Sequence, residues 1–522
     1  MATTTKSPVH LVWFKRDLRV QDHAPLRAAA ATGHAVLPLY IVEPDYWAQP
    51  FASRRQWAFI HDCLQGLRTE TARLGQPLIV RTGTVTDVLS SLAAELGLAV
   101  IHTHQETGNS WTYSRDLAVA DWCQAHGVGL VDYPFNGIVR GLGNRDKWSG
   151  LRARRMAGPA LAPPLRLRAV DGLDPGPIPA KTDQLFSPHR PAEEQGRGVQ
   201  PGGRQAGLAL LDGFLAVRAR TYQRGMSSPQ TATQVCSRLS PHLSWGSLSV
   251  REVEQALSAR RAELAGDKSA SAKAFKRSLS SFSSRLVWRC HFMQKLEDQP
   301  DLDRFCMHQA FEGLREPYHN EAFLEAFCTG RTGYPFIDAC MRSLVQTGWL
   351  NFRMRAMLVS FAAHHLWLDW RRFGTHLARQ FTDYEPGIHY SQLQMQSGVT
   401  GINTLRIYNP VKQSYDQDPD GTFIRKWVPE LAEVSRHWIH EPHKLPRDLL
   451  SQTGVQPGQD YPYPVVENEA AMKLARTRMT VARKADGFAA IARQVYTRLG
   501  SRNRPVSRRP RPADTQLSLF DR

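Results

Sequence analysis

The chain has no closely spaced cysteines and no long apolar run, and acids are its scarcer charge. Seven cysteines are scattered singly through 522 residues with no C-x-x-C spacing, which argues against a zinc site and against a disulfide framework. The opening MATTTKSPVHLVWF has no basic region followed by a long apolar stretch. No later run approaches the ~20 residues that a membrane-spanning helix needs. The expectation is a cytoplasmic monomer that does not enter membranes. Lys and Arg number 66 against 48 Asp and Glu, a net charge of +18. An excess of that size is the footprint of a nucleic-acid binder, although solvated basic surfaces also produce it.

What is present divides along the chain. Short apolar runs at His10–Phe14, Ala35–Val42, Pro77–Arg81, Ala99–Thr103 and Val128–Tyr133 alternate with helix-patterned segments such as Arg54–Leu74 and Val85–Leu96. That alternation reads as a parallel, Rossmann-like α/β domain over residues 8–135. Asp22 is the expected N-cap of the helix that runs through Leu26. A Pro- and Gly-rich connector follows at 136–205, with Ala192–Arg204 expected to be mobile. Helical patterning fills 206–499, an all-α domain, and an Arg/Pro-rich tail without a core-forming period closes the chain at 500–522.

The helical half centres on Thr332–Pro410. Leu350, Met354, Leu358, Phe361, His365 and Leu368 recur every three or four residues, while Arg353, Arg355, Arg371 and Arg372 lie on the other face. Asp383 and Glu385 follow at once, and Trp349, Trp367 and Trp370 are interleaved. Cations, carboxylates and aromatic rings together suit a pocket for a large flat polar ligand, and a helical core with a charged rim would show the same pattern.

The segments TGYPFIDACMRSL, TGWLNFRMR, LWLDWR, RIYNPVKQ and FIRKWVPEL resemble, in order and spacing, the FAD-binding domain of the photolyase/cryptochrome family. WFKRDLRVQDHAPL resembles that family's opening signature, and the resemblance runs from about residue 10 to about 465. It implies FAD as cofactor, damaged DNA as partner and a possible second antenna chromophore in the α/β domain. HQETGNSWTYSRD lacks the Asn-Glu pair of folate-binding relatives, so the antenna's identity stays open. Some relatives hold an iron–sulfur cluster on four cysteines of the helical half. Here Cys340 is the last cysteine in the chain, and no cluster is expected.

By the same resemblance, Tyr222 with Cys236, Ser237, Arg238, Leu239 and Ser240 forms the phosphate loop, Cys236 standing where the family has threonine. Such a serine cluster alone is usually a helix cap. Arg289, in SRLVWRCHF, is expected near the flavin and DNA phosphates. Arg355 and Asp383 match the buried pair beside the isoalloxazine, though a plain interhelical salt bridge remains an alternative. Gap-free counting from Asp383 and Glu385 puts His389 opposite flavin N5, where it would titrate near neutrality. A shifted loop would put Tyr390 or Gln392 there instead. Two of the three positions of the family's tryptophan chain become Leu393 and Phe327, leaving Trp370. Trp349, Trp367, Tyr384 and Tyr390 offer another route.

Around the lesion the family's Trp288 is kept. Arg285 replaces a Glu, Met395 a Trp and Phe352 an Asn, while Arg289, Arg353 and Arg406 are expected to neutralise phosphates. The resemblance implies light-driven repair of pyrimidine photoproducts by a carbon–carbon lyase, with Trp288, His389 and Trp370 as catalytic residues. A blue-light receptor without repair activity is the alternative. Finally, Gln516, Leu517, Leu519 and Phe520 resemble the short peptide that docks bacterial repair proteins on the sliding clamp. The same apolar residues could instead pack back on the helical domain.

Overall fold

The computed structural model describes residues 7–186, 199–446, 449 and 453–501. Five parallel strands, β1 (Pro8–Phe14), β2 (Ala35–Val42), β3 (Ile79–Thr82), β4 (Gly97–His104) and β5 (Gly129–Tyr133), form one sheet in the order β3-β2-β1-β4-β5. Alternation in β1 sends Leu11 and Trp13 to one buried face and Val12 and Phe14 to the other. Both faces are covered, as parallel sheets require. The strands and the helices Arg54–Arg73 and Val85–Glu95 fall within two residues of expectation.

Three expectations are corrected. His23, not Asp22, caps the helix Ala24–Ala31, its ring nitrogen accepting from Leu26 N–H at 3.1 Å. Asp22 takes a left-handed φ of 50° and turns its carboxylate to Arg251 at 2.8 Å. The connector is not irregular throughout, because it contains the helix Trp148–Ala157. Residues 199–204 are tied down rather than mobile: Gly202 N–H donates to Asp62, Gly203 N–H to Cys63, and Arg204 pairs with Glu252 at 2.6 Å. Residues 192–198 lie outside the described residues.

In the helical part the long helix Ala270–Asp298 packs on Pro386–Gln396. The periodic stretch after Leu350 is not one regular helix. It runs as Phe352–Ser360, widens to a π-helical turn at Phe361–His365, and resumes as Trp370–Gln380 after a bend at Trp367, φ 53°. Among the described residues no helix is long and apolar enough to cross a membrane.

Candidate functional site

The helix Trp370–Gln380 ends at an acidic loop, Thr382–Glu385, that other elements hold closely. Three consecutive carbonyls each accept a side-chain hydrogen bond: Thr382 O from Trp245 Nε1 (2.8 Å), Asp383 O from Ser244 Oγ (3.1 Å), and Tyr384 O from the Arg16 guanidinium. The Asp383 carboxylate is gripped from two sides by Arg355 Nη1 at 3.0 Å and Nη2 at 2.8 Å. Arg355 is itself aimed by Leu350 O and lies 4.0 Å over the Phe381 ring. Alongside, Glu385 pairs with Arg289 at 2.9 Å. Fork-shaped Arg–carboxylate contacts of this kind fix geometry as well as charge.

Opposite lies the loop Cys236–Leu239, between the helices Pro229–Val235 and Ser240–Ser244. Arg238 takes a left-handed φ of 61°. Its guanidinium stacks 4.0 Å over Trp349, and burial lowers its pKa to about 10 despite nearby Asp383. Among the described residues, the backbone N–H groups of Ser237, Arg238 and Ser240 have no acceptor. Burial pushes the Cys236 thiol up to about 12, so it stays protonated and can still donate weakly where a threonine hydroxyl would. Tyr222 is buried against Phe214 and Phe282, with Arg285 bonded to its hydroxyl.

Two family models match the chain: "FAD binding domain of DNA photolyase" over residues 282–481 and "DNA photolyase" over 10–139. The deoxyribodipyrimidine photo-lyase of Escherichia coli K12 is 30% identical over 504 residues, spanning 91% of this chain and 99% of that protein. The chain belongs to the photolyase/cryptochrome family. Cryptochrome DASH of Gloeobacter violaceus is 28% identical over 88% of this chain and 93% of its own length. The solved bacterial class III photolyase from Agrobacterium tumefaciens superposes with a TM-score of 0.77 at 26% identity, covering 93% of this chain and all of that one.

FAD is the cofactor of this family's helical domain, and the residues present suit it. Unpaired N–H groups beside the Arg238 cation are what a pyrophosphate needs. The Arg355–Asp383 pair offers a donor and an acceptor together, as a flavin ring edge does in return.

The remaining predicted residues divide. His389 donates from Nε2 to Gly374 O (2.9 Å) and lies 5.2–5.3 Å from the Tyr384 and Tyr390 rings. Burial lowers its pKa to about 4, which corrects the expectation of titration near neutrality. Tyr390 accepts from the Tyr384 hydroxyl at 3.1 Å, and the Gln392 amide nitrogen is buried without a partner. Trp370 is buried and meets Tyr390 edge-on at 6.4 Å. Trp349 is engaged by Arg238, and Trp367 lies between Arg315 and Arg478, so ring contacts join Tyr384, Tyr390 and Trp370 but not those two. Leu393 packs on Gly374, and Phe327 on Phe373.

Of the residues expected to meet DNA, Trp288 is half-buried and stacks on Phe292 at 5.6 Å. Met395 is half-buried, Phe352 is 37% exposed, and Arg353 and Arg406 both act on the Tyr408 phenol. Arg289 is buried, bonds Leu243 O at 2.7 Å and pairs with Glu385.

Sequence reasoning missed the grip on the acidic loop and a second buried constellation. Asp17 accepts from His23 Nε2 (2.9 Å) and His104 Nδ1 (2.6 Å), with His104 lowered to about 3 by burial. Both histidines are neutral donors to one carboxylate, a set already satisfied by its own hydrogen bonds. The run Lys15-Arg16-Asp17 behind β1 was the available signal. It borders the crevice at the carboxyl ends of β1 and β4, where ligands of such sheets bind. Lys15, Arg16, Glu106 and Phe135 line a small cavity of about 10 Å³ there. A larger cavity of about 340 Å³ opens nearby, between Ser110, Tyr113, Arg304 and Arg498.

Proposed function

We propose that this chain repairs pyrimidine photoproducts in DNA under blue light. The observation carrying this reading is the pair Arg353 and Arg406. Both lie beside Tyr408, Arg353 directly follows exposed Phe352 in the chain, and neither has an acidic partner among the described residues. Unneutralised cations beside aromatic surface suit a phosphate backbone with a base turned out of the stack. Trp288 supplies a stacking wall for that base. Arg238 and the free N–H groups hold the pyrophosphate, Arg355 and Asp383 orient the ring edge, and the buried rings around Tyr384 keep water out. FAD, when bound, supplies light absorption and one-electron chemistry.

A blue-light receptor without repair activity is the second reading. Arg285, Met395 and Phe352, standing where repairing relatives have Glu, Trp and Asn, favour it. Binding separates the two. The repair reading requires tighter binding to damaged than to undamaged duplex, affinity that falls steeply with salt, and a lesion preference that Trp288→Ala erodes by roughly 1–3 kcal/mol. Equal affinity for both duplexes in the wild type would favour the receptor. We further propose that Gln516, Leu517, Leu519 and Phe520, outside the described residues, dock on a bacterial sliding clamp.

A further inference from the structure

The grip on the acidic loop is not all local to the helical part. Arg16 follows β1 in the α/β sheet, and its buried guanidinium crosses to the flavin side. There it stacks 4.2 Å over Trp245 and donates from Nε to Ser244 O (3.1 Å) and from Nη2 to Tyr384 O. Its neighbours repeat the direction: Leu18 N–H donates to Trp245 O and Arg19 to Gly246 O. Gly246, at φ 72°, makes the approach close enough that a Cβ would sit 2.1 Å from Arg16 O and 2.5 Å from Asp17 Cα. One side chain of the sheet thus joins the two segments that Ser244 and Trp245 already bridge to Asp383 and Thr382.

We propose that Arg16 is a positioning residue for the flavin site: by fixing the Tyr384 carbonyl it sets the direction in which the Asp383 carboxylate meets Arg355 and the ring edge. Asp383 lies between two residues whose carbonyls are clamped, so its backbone has little freedom to turn the carboxylate. A guanidinium spans two carbonyls and an indole at once because its donors are fixed in a fork, and an ammonium cannot do so. Without the fork, Tyr384 O is left buried and unpaired, and the loop must shift to solvate it. The α/β domain therefore acts on the cofactor site independently of any pigment it holds. The assignment depends on FAD binding and on neither reading of the reaction.

The test compares Arg16→Met with Arg315→Met. Arg315 is a matched buried fork away from the loop, bonding Ala363 O and Ser397 O at 2.9 Å each and stacked 4.5 Å over Trp367. Thermal unfolding, the FAD dissociation constant and the fine structure of the bound-flavin absorption band are measured for each. Both variants should melt earlier, but only Arg16→Met should weaken FAD by about tenfold or more, the factor equivalent to about 1.4 kcal/mol, and blur the band. Arg16→Lys should fall between it and wild type. Ser244→Ala, which frees the adjacent carbonyl, should act in the same direction and serves if Arg16→Met does not fold. Wild-type FAD affinity and spectrum in Arg16→Lys and Ser244→Ala, or an equal loss in Arg315→Met, would overturn the proposal.

Discussion

The two halves of the Arg355–Asp383 pair should not be equally expensive to remove. The Asp383 side chain is 3% exposed and the Arg355 side chain 25%. Arg355→Met strands a buried carboxylate, which typically costs about 3–5 kcal/mol. Asp383→Asn leaves a guanidinium that water reaches and that still bonds Leu350 O at 2.7 Å, so its cost should fall nearer 1–2 kcal/mol. The double variant should recover part of the Arg355→Met loss, because no unpaired charge then remains. Urea unfolding of the apoprotein at pH 7 measures all three, and FAD titration of the folded variants gives the effect on the cofactor. A larger loss from Asp383→Asn than from Arg355→Met, or a double variant that simply sums the singles, would refute the reasoning.

Lys295 is 97% buried against Phe292, near Arg145, and burial lowers its pKa to about 8. A lysine depressed by folding penalises the native state fully below pH 8, and the penalty fades as pH rises from 8 past 10.5, above which both states are neutral. Lys295→Met should therefore stabilise by up to about 3 kcal/mol at pH 7, and the gap to wild type should narrow above pH 8; a gap constant from pH 7 to 9.5 would contradict this. Cys236→Thr restores a full hydroxyl donor in the phosphate loop and should tighten FAD several-fold without changing its absorption, measured by titration. Leu519→Ala with Phe520→Ala should abolish capture by a sliding clamp while leaving FAD content unchanged. Loss of thermal stability instead, with no clamp binding by the isolated tail peptide, would assign those residues to packing.

Much of the frame was legible because its signals are local. The five strands are short apolar runs, and alternation within β1 already divides its two faces. The Arg355–Asp383 contact was reachable only through resemblance, since nothing in the sequence marks as a pair two residues 28 positions apart. The Arg16 grip was out of reach because its partners are backbone carbonyls, which carry no side-chain signature. Arg289 illustrates the same limit: its partner Glu385 lies 96 residues away. His389 read as a near-neutral titrating group because composition does not reveal burial. Asp22 lost the cap to its neighbour because Arg251, more than 200 residues on, claims its carboxylate.

Light-driven repair is tested most directly by one measurement. FAD-loaded protein is incubated with oligonucleotides carrying a cyclobutane pyrimidine dimer or a (6-4) photoproduct, single- and double-stranded, under blue light and in darkness, and restored bases are counted by chromatography. Repair of at least one photoproduct in light and none in darkness is the expected result. No repair of either lesion, from protein whose flavin is verifiably reduced and bound, would contradict it and leave the receptor reading standing.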